Sequence, residues 1–117
     1  MNPFIYTQMV NTSMSGSDKY LYSGLIRLHV LHHAAERPIY GSWMIEELRE
    51  HGYDISPGTL YPMLHGLVRK GYLQVRQEGP GKRARRLYTI TALGRTALAD
   101  AKSRVRELFG ELFENEY

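Results

Sequence analysis

Ser56-Pro-Gly-Thr-Leu-Tyr-Pro-Met-Leu-His-Gly-Leu-Val-Arg-Lys-Gly-Tyr-Leu73 decides the fold, and the basic loop Gly79-Pro-Gly-Lys-Arg-Ala-Arg-Arg86 follows close behind it. Ser56 suits an N-cap. Pro57 suits the first helical position, where its missing N–H would have no intrahelical partner anyway. Leu60, Met63 or Leu64, and Leu67 recur at helical spacing and lay one apolar stripe against a core, while Gly71 supplies a left-handed stop. The opposite face carries Thr59, Tyr61, His65, Arg69 and Lys70, all able to donate to phosphates or base edges. Pro62 removes one backbone bond but lies within two turns of the start, so a tolerated irregularity is expected there.

Working outward, Ser15-Gly-Ser-Asp18 resembles a capping box, and Leu21, Leu25, Leu28, Leu31 or His32, and Ala35 repeat at helical spacing up to Pro38. This predicts a first helix over about 18–36. Gly41-Ser42 opens a second, with Met44, Ile45 and Leu48 on one side, Glu46 and Glu47 towards its positive N-terminal end, and His51-Gly52 as its stop. The linker to Ser56 is short, so these two helices form a helix-turn-helix pattern. After Gly71, Leu73 and Val75 alternate with Gln74 and Arg76, and beyond the glycine-proline loop Tyr88 and Ile90 alternate with Thr89. These are the two strands of a hairpin, with the loop as a wing tip.

Thr91 caps a last helix that reads to the chain end. Leu98, Ala101, Val105, Leu108 and Leu112 are spaced 3, 4, 3, 4, the seam of helix packing on helix, and Phe109, Phe113 and Tyr117 add an aromatic stripe. A small head cannot cover both stripes on a helix that extends past it. Pairing with a second copy is therefore expected, the alternative being that the stripes fold back on the first helix of the same chain.

The 117 residues suit one domain, and 43% hydrophobic with 23% charged residues argues against disorder. With no cysteine, disulfide frameworks and thiolate metal sites are excluded, which suits a cytoplasmic protein. No apolar run approaches the roughly 20 residues of a membrane-spanning helix, and Met1 to Gly16 lacks the basic start of a secretory signal. Net charge is +3, unevenly placed: residues 1–91 hold eleven Lys or Arg against seven Asp or Glu, and 92–117 hold four against five. Lys82, Arg83, Arg85 and Arg86 crowd into five positions. A polyanion-facing front with a separate partner-facing tail follows, against the plainer reading of a solvated loop.

The fold class read from these features is α+β, mostly α. It comprises a winged helix-turn-helix domain over 17–91, a C-terminal dimerisation helix over 92–117, and an arm over 1–16 that is a candidate for docking on the dimer partner. A capped helix with small polar groups and a Tyr at its start, beside a hairpin tipped with cations, is what a winged-helix reader of double-stranded DNA requires.

Pro38-Ile-Tyr-Gly41, Ile45-Glu-Glu-Leu48, Ile55-Ser-Pro-Gly-Thr-Leu-Tyr-Pro62, Leu64-His-Gly-Leu67, Gly71-Tyr-Leu73, Arg86-Leu-Tyr-Thr-Ile-Thr91 and Leu93-Gly94 together resemble the PadR family of bacterial transcriptional regulators, over roughly residues 25–98. The resemblance implies a homodimer, each subunit with a winged-helix head and a C-terminal dimerisation helix. It further implies a repressor that leaves DNA when a small molecule or stress signal arrives. The single C-terminal helix is similar to that of the shorter members. Some of those hold flat aromatic drugs between tryptophans on the dimerisation helix, whereas the one Trp of this chain is Trp43, in the second helix.

Carried over to these positions, the Ser56–Lys70 helix is expected in the major groove, with Thr59, Tyr61 and His65 nearest DNA. Ser56 and the first-turn N–H groups are expected on a phosphate. Lys82, Arg83, Arg85 and Arg86 would follow the backbone or enter the minor groove, and Tyr40 is a further phosphate contact. Two plainer readings stand beside these: Tyr61 packing under the wing, and His65 as an ordinary exposed helix residue. The candidate dimerisation residues are Leu98, Ala101, Val105, Leu108, Phe109, Leu112 and Phe113.

Catalysis finds no support: there is no nucleophile with a base, no phosphate-cradling glycine loop and no paired-carboxylate motif. His29, His32 and His33 are read as a helix surface, because no nearby carboxylate or further His in the sequence completes a metal site. No cofactor is expected. The second functional reading is a winged-helix module for protein or RNA contact without operator specificity.

Overall fold

The structure is a computed structural model that describes residues 18–114, apart from the side chain of Arg83. Four α-helices and three strands follow one another as α1 (Lys19–Glu36), β1 (Ile39–Tyr40), α2 (Gly41–Glu50), α3 (Pro57–Arg69), β2 (Leu73–Glu78), β3 (Arg85–Ile90) and α4 (Ala92–Phe113). A short 3-10 turn, Gly81–Arg83, forms the wing tip between β2 and β3. The sheet order is β1-β3-β2, antiparallel throughout, with Leu73 opposite Ile90, Glu78 opposite Arg85, and Ile39 opposite Tyr88. This is a winged helix-turn-helix head carrying a long C-terminal helix, as the sequence predicts. Ser15 to Ser17 of the proposed capping box, the 1–16 arm and Tyr117 lie outside the described residues.

The core is where the three head helices meet the sheet. Ile26 and Val30 of α1, Met44 and Leu48 of α2, Leu60 and Leu64 of α3, and Tyr88 of β3 are all fully buried there. α3 owes its placement to the stripe read from the sequence, since Leu60, Met63, Leu64 and Leu67 are its buried residues. Pro62 sits inside this helix without ending it. The stop is also as read: Gly71 has φ 82°, and the N–H groups of Gly71 and Tyr72 close back onto Val68 and Leu67.

Two expectations about the core need correction. On α1 the leucine repeat is not the buried face except at Leu31. Leu21 is 72% exposed and Leu25 43%, while Ile26, Val30, Leu31, His33 and Ala34 face inward. The helix has apolar residues on two sides, and sequence periodicity alone favoured the longer leucine run. Along β2 the inward alternation ends at Leu73, and Val75 is exposed, because the hairpin projects beyond the core and offers nothing to cover it. β1 was not foreseen; two residues carry no period, and its pairing with β3 exists only in the folded chain.

α4 is anchored at its first turn. Thr91 caps it, accepting a hydrogen bond from Gly94 N–H at 2.9 Å, and its own N–H donates to the Tyr72 carbonyl at 3.0 Å. Gly94 passes so close to that carbonyl that an added Cβ would stand 2.1 Å from the oxygen. Arg95 ties the same turn to the end of α1 by donating to Ala35 O at 3.3 Å. At 1.5 Å per residue the helix is about 33 Å long, and it runs well past the head.

Candidate nucleic-acid interface

An open groove of about 570 Å³ lies between the first half of α3 and the wing, bordered by Tyr40, Ser42, Tyr61, Lys82, Arg85 and Arg86. Its cations come from the wing and its aromatic rings from β1 and α3. Arg85 lies over the Tyr40 ring, its guanidinium carbon 3.9 Å from the centroid, and the Tyr40 hydroxyl donates to the Glu78 carboxylate. That bond to a carboxylate raises the Tyr40 phenol above its ordinary pKa, keeping it a proton donor. Arg86 reaches back to α3, where its Nη1 lies 3.2 Å from His65 Nε2. Two of the wing cations are thus held in fixed directions before any ligand arrives.

The start of α3 is arranged differently from the sequence reading. Ser56 occupies the N-cap position, but its hydroxyl donates to Thr59 Oγ1 at 3.4 Å, and its oxygen does not accept from a first-turn N–H. Thr59 also accepts from Lys19 Nζ at 3.3 Å, so α1 contributes a cation to this end. Tyr61 is half-buried and lies against Gly41, whose missing side chain leaves the room, since a Cβ there would be 2.5 Å from the Tyr61 hydroxyl. Part of Tyr61 is therefore a packing group, and its remaining edge lines the groove. Arg69 and Lys70 are exposed at the far end of α3, about 15 Å along the axis from Thr59 and away from the groove. The sequence reading missed Lys19, Ser42 and Gln77. Only Ser42, next to Tyr40-Gly41, offered a local signal.

On α4, Leu98 and Ala101 are half-buried near α1, whereas Val105, Leu108, Phe109 and Leu112 are between 43% and 61% exposed. The Phe109 and Phe113 rings lie 4.7 Å apart between centroids. An apolar groove of about 480 Å³ opens between α1 and α4, lined by Leu25, Leu28, Leu98, Val105 and Phe109. The leucine face that α1 does not bury thus joins the seam of α4. Trp43 does not line this groove: it sits on α2, edge-on to His33 at 5.4 Å, with Arg37 4.9 Å from its ring.

The histidines of α1 are not an ordinary helix surface. Folding brings His51 to within 4.8 Å of His29 between ring centroids, and places Glu47 beside both His51 and His33. Burial, with the neighbouring His51 and His33, pushes the His29 pKa down to about 4, so this ring stays neutral near pH 7. His51 lies eighteen positions beyond His33, a separation at which only the tertiary fold creates a cluster.

Residues 30–100 match the sequence profile described as the transcriptional regulator PadR-like family. The chain belongs to that family. It is 47% identical over 87 residues to the transcriptional regulator Rv3488 of Mycobacterium tuberculosis, covering 74% of this chain and 81% of the relative. A PadR family transcriptional regulator from Eggerthella lenta superposes with a TM-score of 0.73 at 25% identity, over 95% of each chain. One from Clostridium difficile superposes with a TM-score of 0.67 at 18% identity, over 77% of this chain and 95% of its own. The PadR assignment makes the chain a transcriptional regulator and not an enzyme, and PadR-family regulators bind DNA. Among the described residues no helix is long and apolar enough to cross a membrane.

Proposed function

We propose that this PadR-family regulator is a cytoplasmic homodimeric repressor that reads an inverted-repeat operator in double-stranded DNA. It leaves that operator when a signal of unidentified chemistry arrives. The observation that carries the reading is the groove between α3 and the wing, where Arg85 and Arg86 are pre-oriented by Tyr40 and His65 and Lys82 stands at the rim. Phosphates on either side of a major groove suit such cations, while α3, with Thr59, Tyr61 and His65, enters the groove itself. Ser56 and Lys19 hold a phosphate at the helix start, where the dipole is positive. Arg69 and Lys70 contribute at the flank only.

The dimer is supported by the exposed 3-4-3-4 seam of α4, which a second copy of the same helix covers through Val105, Leu108 and Leu112. Pairing the long helices sets two heads on a twofold axis, and that geometry requires an inverted repeat.

The wing supplies the test. Replacing Lys82 and Arg85 with Ala should weaken binding to operator and random duplex alike and flatten the salt dependence, by about 0.9 in the log-log slope for each phosphate no longer neutralised. Wild-type affinity and slope in the double variant at low salt would favour the protein- or RNA-contact reading instead.

A further inference from the structure

We propose that His29, His33 and His51 form a binding site for one divalent transition-metal ion, with Glu47 as the carboxylate that completes it. The convergence comes from two helices. His29 and His33 stand one turn apart on α1, His51 is the C-cap of α2, and one ligand nitrogen from each lies within 4.8 Å of the others. Metal–nitrogen bonds of about 2.0–2.1 Å in a tetrahedral site place neighbouring nitrogens roughly 3.3 Å apart. Closing on an ion therefore takes a shift of about 1.5 Å shared among three side chains, within ordinary ring rotation. Glu47 stands beside two of the three, its Oε1 3.2 Å from His51 Nε2 and 3.6 Å from His33 Nε2, and a turn of its side chain brings it to the ion.

A second observation points the same way. His33 is only 8% exposed, and neither of its ring nitrogens makes a hydrogen bond among the described residues. Its Nδ1 and Nε2 have only the Glu36 and Glu47 carboxylates at 3.6 Å, outside hydrogen-bond distance, whereas buried polar atoms normally make a closer bond, which an ion on Nε2 would supply. With Nε2 on the ion, Nδ1 faces Glu36 Oε1 at 3.6 Å, the outer carboxylate that commonly fixes the orientation of a ligating imidazole. Trp43 and Tyr53 wall the cluster with ring centroids 5.4 Å from His33 and 5.3 Å from His29. Imidazole and carboxylate donors without any thiolate select zinc, cobalt, nickel or copper(II) over calcium or magnesium. The site goes beyond the DNA reading and stands independently of it.

Cobalt(II) titration of the full chain, carrying no polyhistidine tag, is the test. The expected result is one equivalent bound per chain with the strong visible bands of tetrahedral cobalt, displaced stoichiometrically by zinc, and a melting temperature raised by zinc. His51→Ala alters an exposed helix end and should leave the fold intact. Because disturbing even an outer-sphere partner commonly costs about 10–100-fold in affinity, removing this ligand should cost at least about 100-fold. Glu47→Gln should weaken cobalt binding by about tenfold or more. His32→Ala should change nothing, which separates this site from the neighbouring trio of His32, His33 and Glu36, which shares His33 with it. Only weak octahedral bands, unchanged binding in His51→Ala, or loss of binding in His32→Ala would each overturn the proposal, leaving the cluster as aromatic packing.

Discussion

Gly94→Ala is the substitution whose effect can be worked furthest from the structure. The new methyl would stand 2.1 Å from the Tyr72 carbonyl oxygen, 2.8 Å from Ile90 Cγ1 and 3.0 Å from the Tyr72 carbonyl carbon. Comfortable carbon contacts need about 3.5 Å or more, so the start of α4 must retreat from β2 by about 1 Å. The atom in the way is backbone, and it is already engaged: the Tyr72 carbonyl accepts the Thr91 N–H at 3.0 Å, while the Thr91 hydroxyl caps the helix through Gly94 N at 2.9 Å. Overpacking alone costs about 1–3 kcal/mol, and stretching the two hydrogen bonds adds about 1 kcal/mol each. A loss of about 3–5 kcal/mol follows, which for a chain of 117 residues lowers the melting temperature by about 12 °C or more. Gly110→Ala is the control, since nothing lies within 4 Å of its new methyl. It should stabilise by up to about 1 kcal/mol through helix propensity. Both melts are followed by circular dichroism at one protein concentration, because a dimer's melting temperature depends on it. A Gly94→Ala protein that melts within about 2 °C of wild type would refute the close approach of α4 to the sheet.

Leu108→Asp with Leu112→Asp places unpaired charge on the exposed α4 seam and should yield monomers by light scattering, with weak DNA binding; a wild-type chain already monomeric at micromolar concentration refutes the dimer. His65→Ala should narrow the affinity gap between operator and random duplex by roughly 1–3 kcal/mol if the ring reaches a base edge. Unchanged selectivity in competition titrations would leave His65 as only a support for Arg86. Thr91→Ala, removing the one side-chain cap of α4, should cost about 0.5–2 kcal/mol in denaturant unfolding, and no loss would mean that the cap is idle.

Much of the head was legible because its signals are local. Ser56-Pro57 at one end and Gly71 at the other delimit α3 within a residue, and the stripe between them has a single apolar side. α1 was legible in extent and not in orientation, because its leucines and its Ile26-Val30-Ala34 face both satisfy helical spacing, and only packing on the sheet chooses between them. The candidate groove followed the same division. That the wing is basic and that Tyr61 starts α3 are facts of sequence, whereas the stacking of Arg85 on Tyr40, the Arg86–His65 contact and the lodging of Tyr61 on Gly41 arise from packing between elements distant in sequence. The same holds for the histidine cluster, whose third member comes from the end of another helix.

Whether two heads on a twofold axis read one operator is decided by a competition titration. Duplex recovered from the host genome with the bound protein is titrated against a scrambled duplex of equal length, with stoichiometry and footprint measured on the same complex. The expected result is a preference of at least about 10³-fold, two chains per duplex, and two protected half-sites whose centres lie about 10–10.5 base pairs apart or a multiple of that. Affinities within a few-fold of each other, or one chain protecting a single asymmetric half-site at saturation, would contradict the twofold reading.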